Sequence, residues 1–284
     1  MGQALREQLL ERFLAWARRR GSVRAVALTG SGARSERPAD VWSDLDLVVL
    51  TSNPRTFFTS DRWLEALGKP WAAIVERTAA GRPFERRVLF EGGVDVDFII
   101  LRAQSLRGAL PRTPRGEIRR RGVRVLQDKD GLLGSLPEPP SEPSQPPTAE
   151  AFLAVVHDFW YHAAWTAKKL RRGELWTAKS CCDTYMKGLL LRMVEWQARA
   201  GRGWALDTWY GGRFLEQWAA PQVVAELQRC FAHYDEEDVW RALAATMDLF
   251  RRLATEVAGC LGYDYPAGSG QDIAAWVAEC RAQG

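Results

Sequence analysis

Along the first half of the chain the spacing of apolar positions changes several times. Leu5, Leu9, Leu10, Phe13, Leu14 and Ala17 recur at helical intervals and predict an amphipathic helix near the amino terminus. Val23 to Thr29 and Leu45 to Thr51 are short apolar runs that predict strands. Asp61 followed by Trp63, Leu64 and Leu67 predicts a capped short helix ending at Gly68. From Arg87 to Leu101 two apolar runs flank Gly92-Gly93, the pattern of a hairpin. The pattern then breaks at Pro137 to Thr148, where repeated proline fixes φ and removes backbone donors, so neither helix nor central strand persists. Beyond it come amphipathic segments at about Glu150 to Arg172, Thr177 to Ala200, Pro221 to Tyr234, Asp238 to Leu261 and Gly270 to Ala282. The expectation is an α+β chain: a mixed α/β sheet domain over 1–136, a Pro-rich linker over 137–148, and a helical bundle over 149–284.

Composition agrees with two domains, since 284 residues with 46% hydrophobic and 26% charged can bury one large core or two modest ones. The longest apolar runs, such as Leu45 to Leu50 and Val96 to Leu101, are far shorter than the ~20 residues of a membrane helix. Arg6, Glu7, Glu11 and Arg12 interrupt the amino-terminal segment, so no signal peptide is expected and the protein reads as cytoplasmic. Five cysteines, all in the second half and without CxxC spacing, read as reduced thiols, and three histidines form no zinc pattern. Nine of the thirteen tryptophans lie in the helical half, most as core filler and a few as lining for a polar ring system.

Net charge is +4, too small to argue for nucleic acid, but its distribution is uneven. Residues 1–136 carry 24 Lys+Arg against 16 Asp+Glu, and 137–284 carry 15 against 19. Arg18 to Arg20 and Arg119 to Arg121 supply part of the basic excess as solvated surface. One half suits an anionic ligand and the other a cationic one, and the acidic half has no basic, aromatic-interleaved strip for a polynucleotide.

The chemistry is carried by Thr29-Gly30-Ser31 and the returning segment Ser43-Asp44-Leu45-Asp46. A strand delivers Gly30-Ser31 to a turn, where glycine lets backbone N–H groups and the serine hydroxyl approach phosphate oxygens. Asp44 and Asp46, two apart, project to one face. Two adjacent carboxylates repel unless a cation joins them, and Mg²⁺ takes one or two carboxylates together with phosphate oxygens. Asp97, on a later strand that also carries Asp95, supplies a third carboxylate, enough for two metal ions and an in-line displacement at a triphosphate. This constellation is that of a nucleotidyltransferase.

The chain also resembles the aminoglycoside 6-adenylyltransferases along its length. The matching segments include Gly30-Ser31 through Asp46, Asp61 to Gly68, Leu89 to Asp97, Asp158-Phe-Trp160, Leu190 to Trp196, Asp238 to Leu243 and Leu261 to Pro266. The resemblance implies transfer of AMP from Mg-ATP to a hydroxyl of a streptomycin-like aminoglycoside, releasing pyrophosphate and conferring resistance. It implies Asp44, Asp46 and Asp97 as metal ligands, with Asp97 also as general base. Gly30, Ser31 and Ser43 are implied as the triphosphate cradle, with Lys168, which matches a lysine of the family, reaching ATP from the helical half; Lys179 is a weaker candidate to touch ATP, since a lysine on a helix is usually just solvated. Gly32 and Arg34 depart from the family, which often has arginine directly after Gly-Ser and asparagine two places later. Arg34 is a candidate to reach the same phosphates. Asp95, Glu91 and Asp183 are candidate anchors for a cationic acceptor. The expected partners are ATP and an aminoglycoside, with no nucleic acid and no membrane, on a monomer or weak homodimer. The rival readings are the same scaffold acting on another small molecule or a protein, a template-independent polymerase, and a nucleotide-binding protein without turnover.

Overall fold

The structure is a computed structural model, and it describes residues 2–34, 37–77, 84–106, 123–133 and 144–283. Arg119 to Arg121 and the linker positions 137–143 lie outside the described residues; Ser144 to Thr148 are irregular coil. The architecture is α+β, a mixed sheet with helices followed by a helical region, and it divides into two compact units, Met1–Ser141 and Glu142–Gly284.

In the first unit α1 (Gly2–Arg18) precedes β1 (Val23–Thr29), and a short 3₁₀ turn, Gly30–Gly32, ends that strand. Next come β2 (Leu45–Thr51), the single turns α2 (Thr56–Thr59) and α3 (Arg62–Glu65), β3 (Pro70–Arg77), β4 (Phe84–Phe90), β5 (Val94–Arg102) and β6 (Arg124–Asp128). The sheet order is β3-β4-β5-β2-β1-β6, antiparallel at every pairing except β2 with β5, which run parallel. Alternation along the strands divides the side chains between two faces. Leu28, Leu47, Val49, Val96, Phe98 and Ile100 pack with Leu9 and Phe13 of α1 and with Phe57, Trp63 and Leu64 of α2 and α3. Phe98 sits at the centre, its ring 5.0 Å from that of Phe13 and 4.9 Å from that of Trp63. Asp46 and Asp97, one residue before Leu47 and Phe98, therefore belong to the opposite face.

The expected hairpin is β4–β5, paired Phe90 to Val94 around Glu91-Gly92-Gly93, with both glycines at positive φ. Asp61 departs from expectation. It lies at the start of α3 in helical conformation without capping it, and its carboxylate instead pairs with the buried guanidinium of Arg86 on β4. β3 and β6, the two edge strands, were not anticipated.

The second unit is built on α4 (Ala149–Arg171), α5 (Leu175–Ser180), α6 (Met186–Arg202), α7 (Leu215–Trp218), α8 (Pro221–Leu227), α9 (Glu236–Leu261) and α10 (Ala267–Ala282). Thr148 Oγ1 accepts from Ala151 N at 3.1 Å and an Asp235 carboxylate oxygen from Asp238 N at 2.9 Å, satisfying first-turn donors of α4 and α9. Phe159 and Phe250 stack at 3.6 Å in the core between these helices. The helix expected over Thr177 to Ala200 is instead α5 and α6 joined through a π-helical segment, Cys181–Tyr185. The segment expected to be helical from Pro221 to Tyr234 stops earlier, α8 ending at Leu227 and a 3₁₀ turn at Cys230. No helix among the described residues is long and apolar enough to cross a membrane.

Candidate active site

Parallel pairing of β2 with β5 sets Asp46 opposite Asp97 in register, and Asp44 lies just before β2 begins. Asp44, Asp46 and Asp97 each present a carboxylate oxygen within 4.8 Å of the other two. Three hard oxygen donors at that spacing match what Mg²⁺ takes.

The turn after β1 is shaped around this cluster. Gly30 has φ +60°, and a Cβ there would lie 2.0 Å from Asp46 Oδ2. Glycine is required twice over, for the left-handed backbone and for the space the carboxylate fills. Ser31 Oγ is buried with no hydrogen-bond partner, an orphaned hydroxyl beside the acidic cluster that an incoming oxygen ligand can satisfy. The Ser31 carbonyl accepts from Ala39 N at 2.9 Å, tying the loop back to the turn.

Asp97 is only 8% exposed and is held by Arg87, whose Nε donates to Asp97 Oδ1 at 2.8 Å. Burial pushes the Asp97 carboxyl above its ordinary range, and the Arg87 hydrogen bond and charge oppose that shift. Arg87 is itself held more firmly protonated, first by Asp97, and its NH1 also donates to Glu76 Oε1 at 3.1 Å. Glu85, across from Glu76 on β3, is pushed up to about 7 by burial, a hydrogen bond shared with Glu76 and the charge of Asp97. Asp95 is half-buried and also raised, mainly by burial and in part by the charge of Asp44. The face thus carries an acidic strip across four strands, with Arg87 bonded to two of its carboxylates.

The other expected residues are placed as follows. The Ser43 hydroxyl closes a local turn, donating to Asp40 Oδ1 and accepting from Asp40 N, both at 2.9 Å, and this lowers the Asp40 pKa. Arg34 Nε donates to the Arg37 carbonyl at 2.7 Å. Glu91 is exposed at the β4–β5 turn and pairs with Lys69 at 3.4 Å. In the helical unit Lys179 is bonded to Asp183 and donates to the Ala232 carbonyl at 2.7 Å, so these two candidates are committed to each other. Lys168 is exposed, its ammonium 5.7 Å from the Trp276 ring centre.

Arg87, Glu76 and Glu85 were not singled out from the sequence. Arg87 was within reach, because counting outward from the turn at Glu91 to Gly93 aligns it with Asp97. Glu76 was not, because its strand went unrecognised.

The sequence model of a family described as streptomycin adenylyltransferase matches residues 5–280. An aminoglycoside 6-adenylyltransferase of Bacillus subtilis (strain 168) is 24% identical over 268 residues, covering 92% of each chain. One from Campylobacter jejuni is 24% identical over 253 residues, covering 86% of this chain and 85% of that one. The crystal structure of an aminoglycoside 6-adenyltransferase from Bacillus subtilis aligns over 97% of this chain and 98% of its own, with 20% identity and a TM-score of 0.47.

Proposed function

Because the chain belongs to the streptomycin adenylyltransferase family, whose sequence model spans nearly all of it, we propose that it transfers AMP from Mg-ATP to a hydroxyl of a streptomycin-like aminoglycoside, releasing pyrophosphate. That it is a transferase follows from the family. The choice of nucleotide, metal and acceptor is the proposal. The observation that carries it is the triad of Asp44, Asp46 and Asp97 closed around a glycine that leaves room for Asp46.

Asp44, Asp46 and Asp97 would hold Mg²⁺, which when bound neutralises triphosphate charge and acidifies the attacking hydroxyl. The unpartnered Ser31 hydroxyl and the backbone at Gly30 and Ser31 bind phosphate oxygens. Arg87 fixes one oxygen of Asp97, which leaves the other to accept the proton of the acceptor hydroxyl. The deprotonated oxygen forms a bond to the α-phosphorus, the bond from that phosphorus to its bridging oxygen breaks, and pyrophosphate departs with the electron pair. Asp95 adds negative charge beside Asp97 for a cationic acceptor.

The test is incubation of purified protein with ATP, Mg²⁺ and a panel of aminoglycosides, read by pyrophosphate release and by the mass of the product. Streptomycin is expected to gain one AMP, and Asp44→Asn to lower the rate by about a thousandfold while leaving the melting curve in place. Turnover of another drug alone would move the acceptor assignment. No pyrophosphate with any member of the panel would sink the proposal.

A further inference from the structure

The helical unit contains a groove of about 540 Å³ that the catalytic cluster does not explain. Its walls come from α4, α5 and the π-helical segment Cys181–Tyr185. A π turn inserts one residue into a helix, at a cost that is usually tolerated where a side chain must be re-aimed. Here the turn falls at the groove and ends on Tyr185.

Four rings face it: His162, Trp165, Trp176 and Tyr185. Trp176 is 74% exposed and Tyr185 47% exposed, large apolar surfaces left along the groove rather than buried in the core. The His162 and Tyr185 rings lie 4.2 Å apart. Between the rings the wall is hydroxylated by Thr177, Ser180 and Thr184.

Asp158 supplies the charge. Its Oδ2 accepts from the Tyr185 hydroxyl at 2.9 Å, and its Oδ1 lies 2.8 Å from His162 Nδ1. Among the described residues no lysine or arginine pairs with it, so its negative charge is joined to the aromatic wall through the Tyr185 hydroxyl and the His162 ring. Lys169, 5.1 Å from the Trp165 ring centre, is already paired with Glu174 at 2.7 Å and brings no free positive charge.

We propose that this groove binds a hydroxylated ring carrying a guanidinium or ammonium group. Aromatic faces attract such cations and stack on a planar guanidinium, the carboxylate adds charge-assisted hydrogen bonds, and the hydroxyls match those of a sugar or cyclitol. The volume suits one or two rings. Asp158 disfavours the opposite occupant, a nucleotide triphosphate. The inference rests on the reading that the acceptor is an aminoglycoside, the class of ligand it gives to Asp158, Trp176 and Tyr185.

Binding is measured by calorimetry on the full chain carrying Asp44→Asn, which slows turnover about a thousandfold, with streptomycin, ATP and the neutral disaccharide sucrose as separate probes. Streptomycin is expected to bind. Added Asp158→Asn, which keeps the shape, or Trp176→Ala, which removes an exposed ring, is expected to weaken it about tenfold or more without changing ATP affinity. Absence of streptomycin binding, binding unchanged by both substitutions, equal binding of sucrose, or a loss confined to ATP would each overturn the proposal. The two readings separate cleanly. Turnover of streptomycin whose KM ignores both substitutions sinks the groove and spares the activity; groove-dependent binding without turnover does the reverse.

Discussion

Replacing Gly30 by alanine should disable the site while leaving the sheet standing. A Cβ at this position would lie 2.0 Å from Asp46 Oδ2 and 2.9 Å from its Cγ, whereas real Cβ contacts essentially never fall below 3.0 Å. The carboxylate must therefore retreat by about 1 Å, since the backbone of Asp46 is pinned between β1 and β5 and cannot move in its place. A displacement of about 1 Å in a reacting constellation costs roughly a hundredfold in rate. The left-handed φ of +60° adds about 1–2 kcal/mol of backbone strain for a residue with a side chain. Gly32→Ala is the matched control. Its Cβ would meet Leu28 Cδ2 at 2.6 Å, and Leu28 belongs to the core beneath α1. That substitution should cost about 1–3 kcal/mol of stability by overpacking and leave Asp46 in place. The assay is pyrophosphate release under kcat/KM conditions, paired with a thermal melt of each variant. Expected is a folded Gly30→Ala protein with kcat/KM reduced about a hundredfold or more, and a Gly32→Ala protein less stable than wild type but far more active than Gly30→Ala. A Gly30→Ala enzyme within about threefold of wild type would refute the reasoning, because the Asp46 carboxylate would then not need the position it holds.

Arg87→Met should lower kcat/KM about 10- to 100-fold by freeing the Asp97 carboxylate, and Arg87→Lys should recover only part of it, lacking the fork that reaches both Asp97 and Glu76. Full activity in Arg87→Met would show that Asp97 needs no such support. Glu85 gives a pH signature. Its folded pKa of about 7 lies above the ordinary carboxyl value of 4.5, so the folded state binds the extra proton and stability falls as pH rises from about 4.5 to 7. Glu85→Gln removes that loss, on the order of 1 kcal/mol once the water still reaching Glu85 is allowed for. The variant should melt above wild type at pH 8 and alongside it at pH 4.5; an equal gain at both values would contradict the linkage.

What could be read from the sequence follows from where each element gets its information. β1 and β2 appeared with the right ends because both are interior strands whose apolar runs are bounded by turns. β3 and β6 went unseen because they are the sheet's edges. Trp71, Ile74, Val75 and Val125 stay exposed there, β3 opens on Pro70, and the alternation that marks a half-buried strand is weak. With β3 missing, Glu76 and its link to Arg87 could not be placed. The π segment at Cys181–Tyr185 was hidden for a different reason. One inserted residue leaves the buried positions on either side, such as Ala178 and Leu189, compatible with a single amphipathic stripe. Asp61 shows the limit of a local rule, since a carboxylate in a cap position was taken by Arg86, 25 residues away.

The acidic cluster was legible despite resting on a long-range contact, the parallel pairing of β2 with β5. Asp46-Leu-Val-Val-Leu50 and Asp97-Phe-Ile-Ile-Leu101 have the same form, a carboxylate followed by four apolar residues. Leu47 is paired with Phe98 and both enter the core under α1, which sets Asp46 beside Asp97; a slip of one residue would bury one carboxylate among Phe13, Phe57 and Trp63. The hydrophobic core therefore sets the register, and the register brings the acids together. Packing that keeps the sheet folded also holds two like charges side by side, an arrangement whose repulsion is relieved on one flank by Arg87, which is bonded to Asp97.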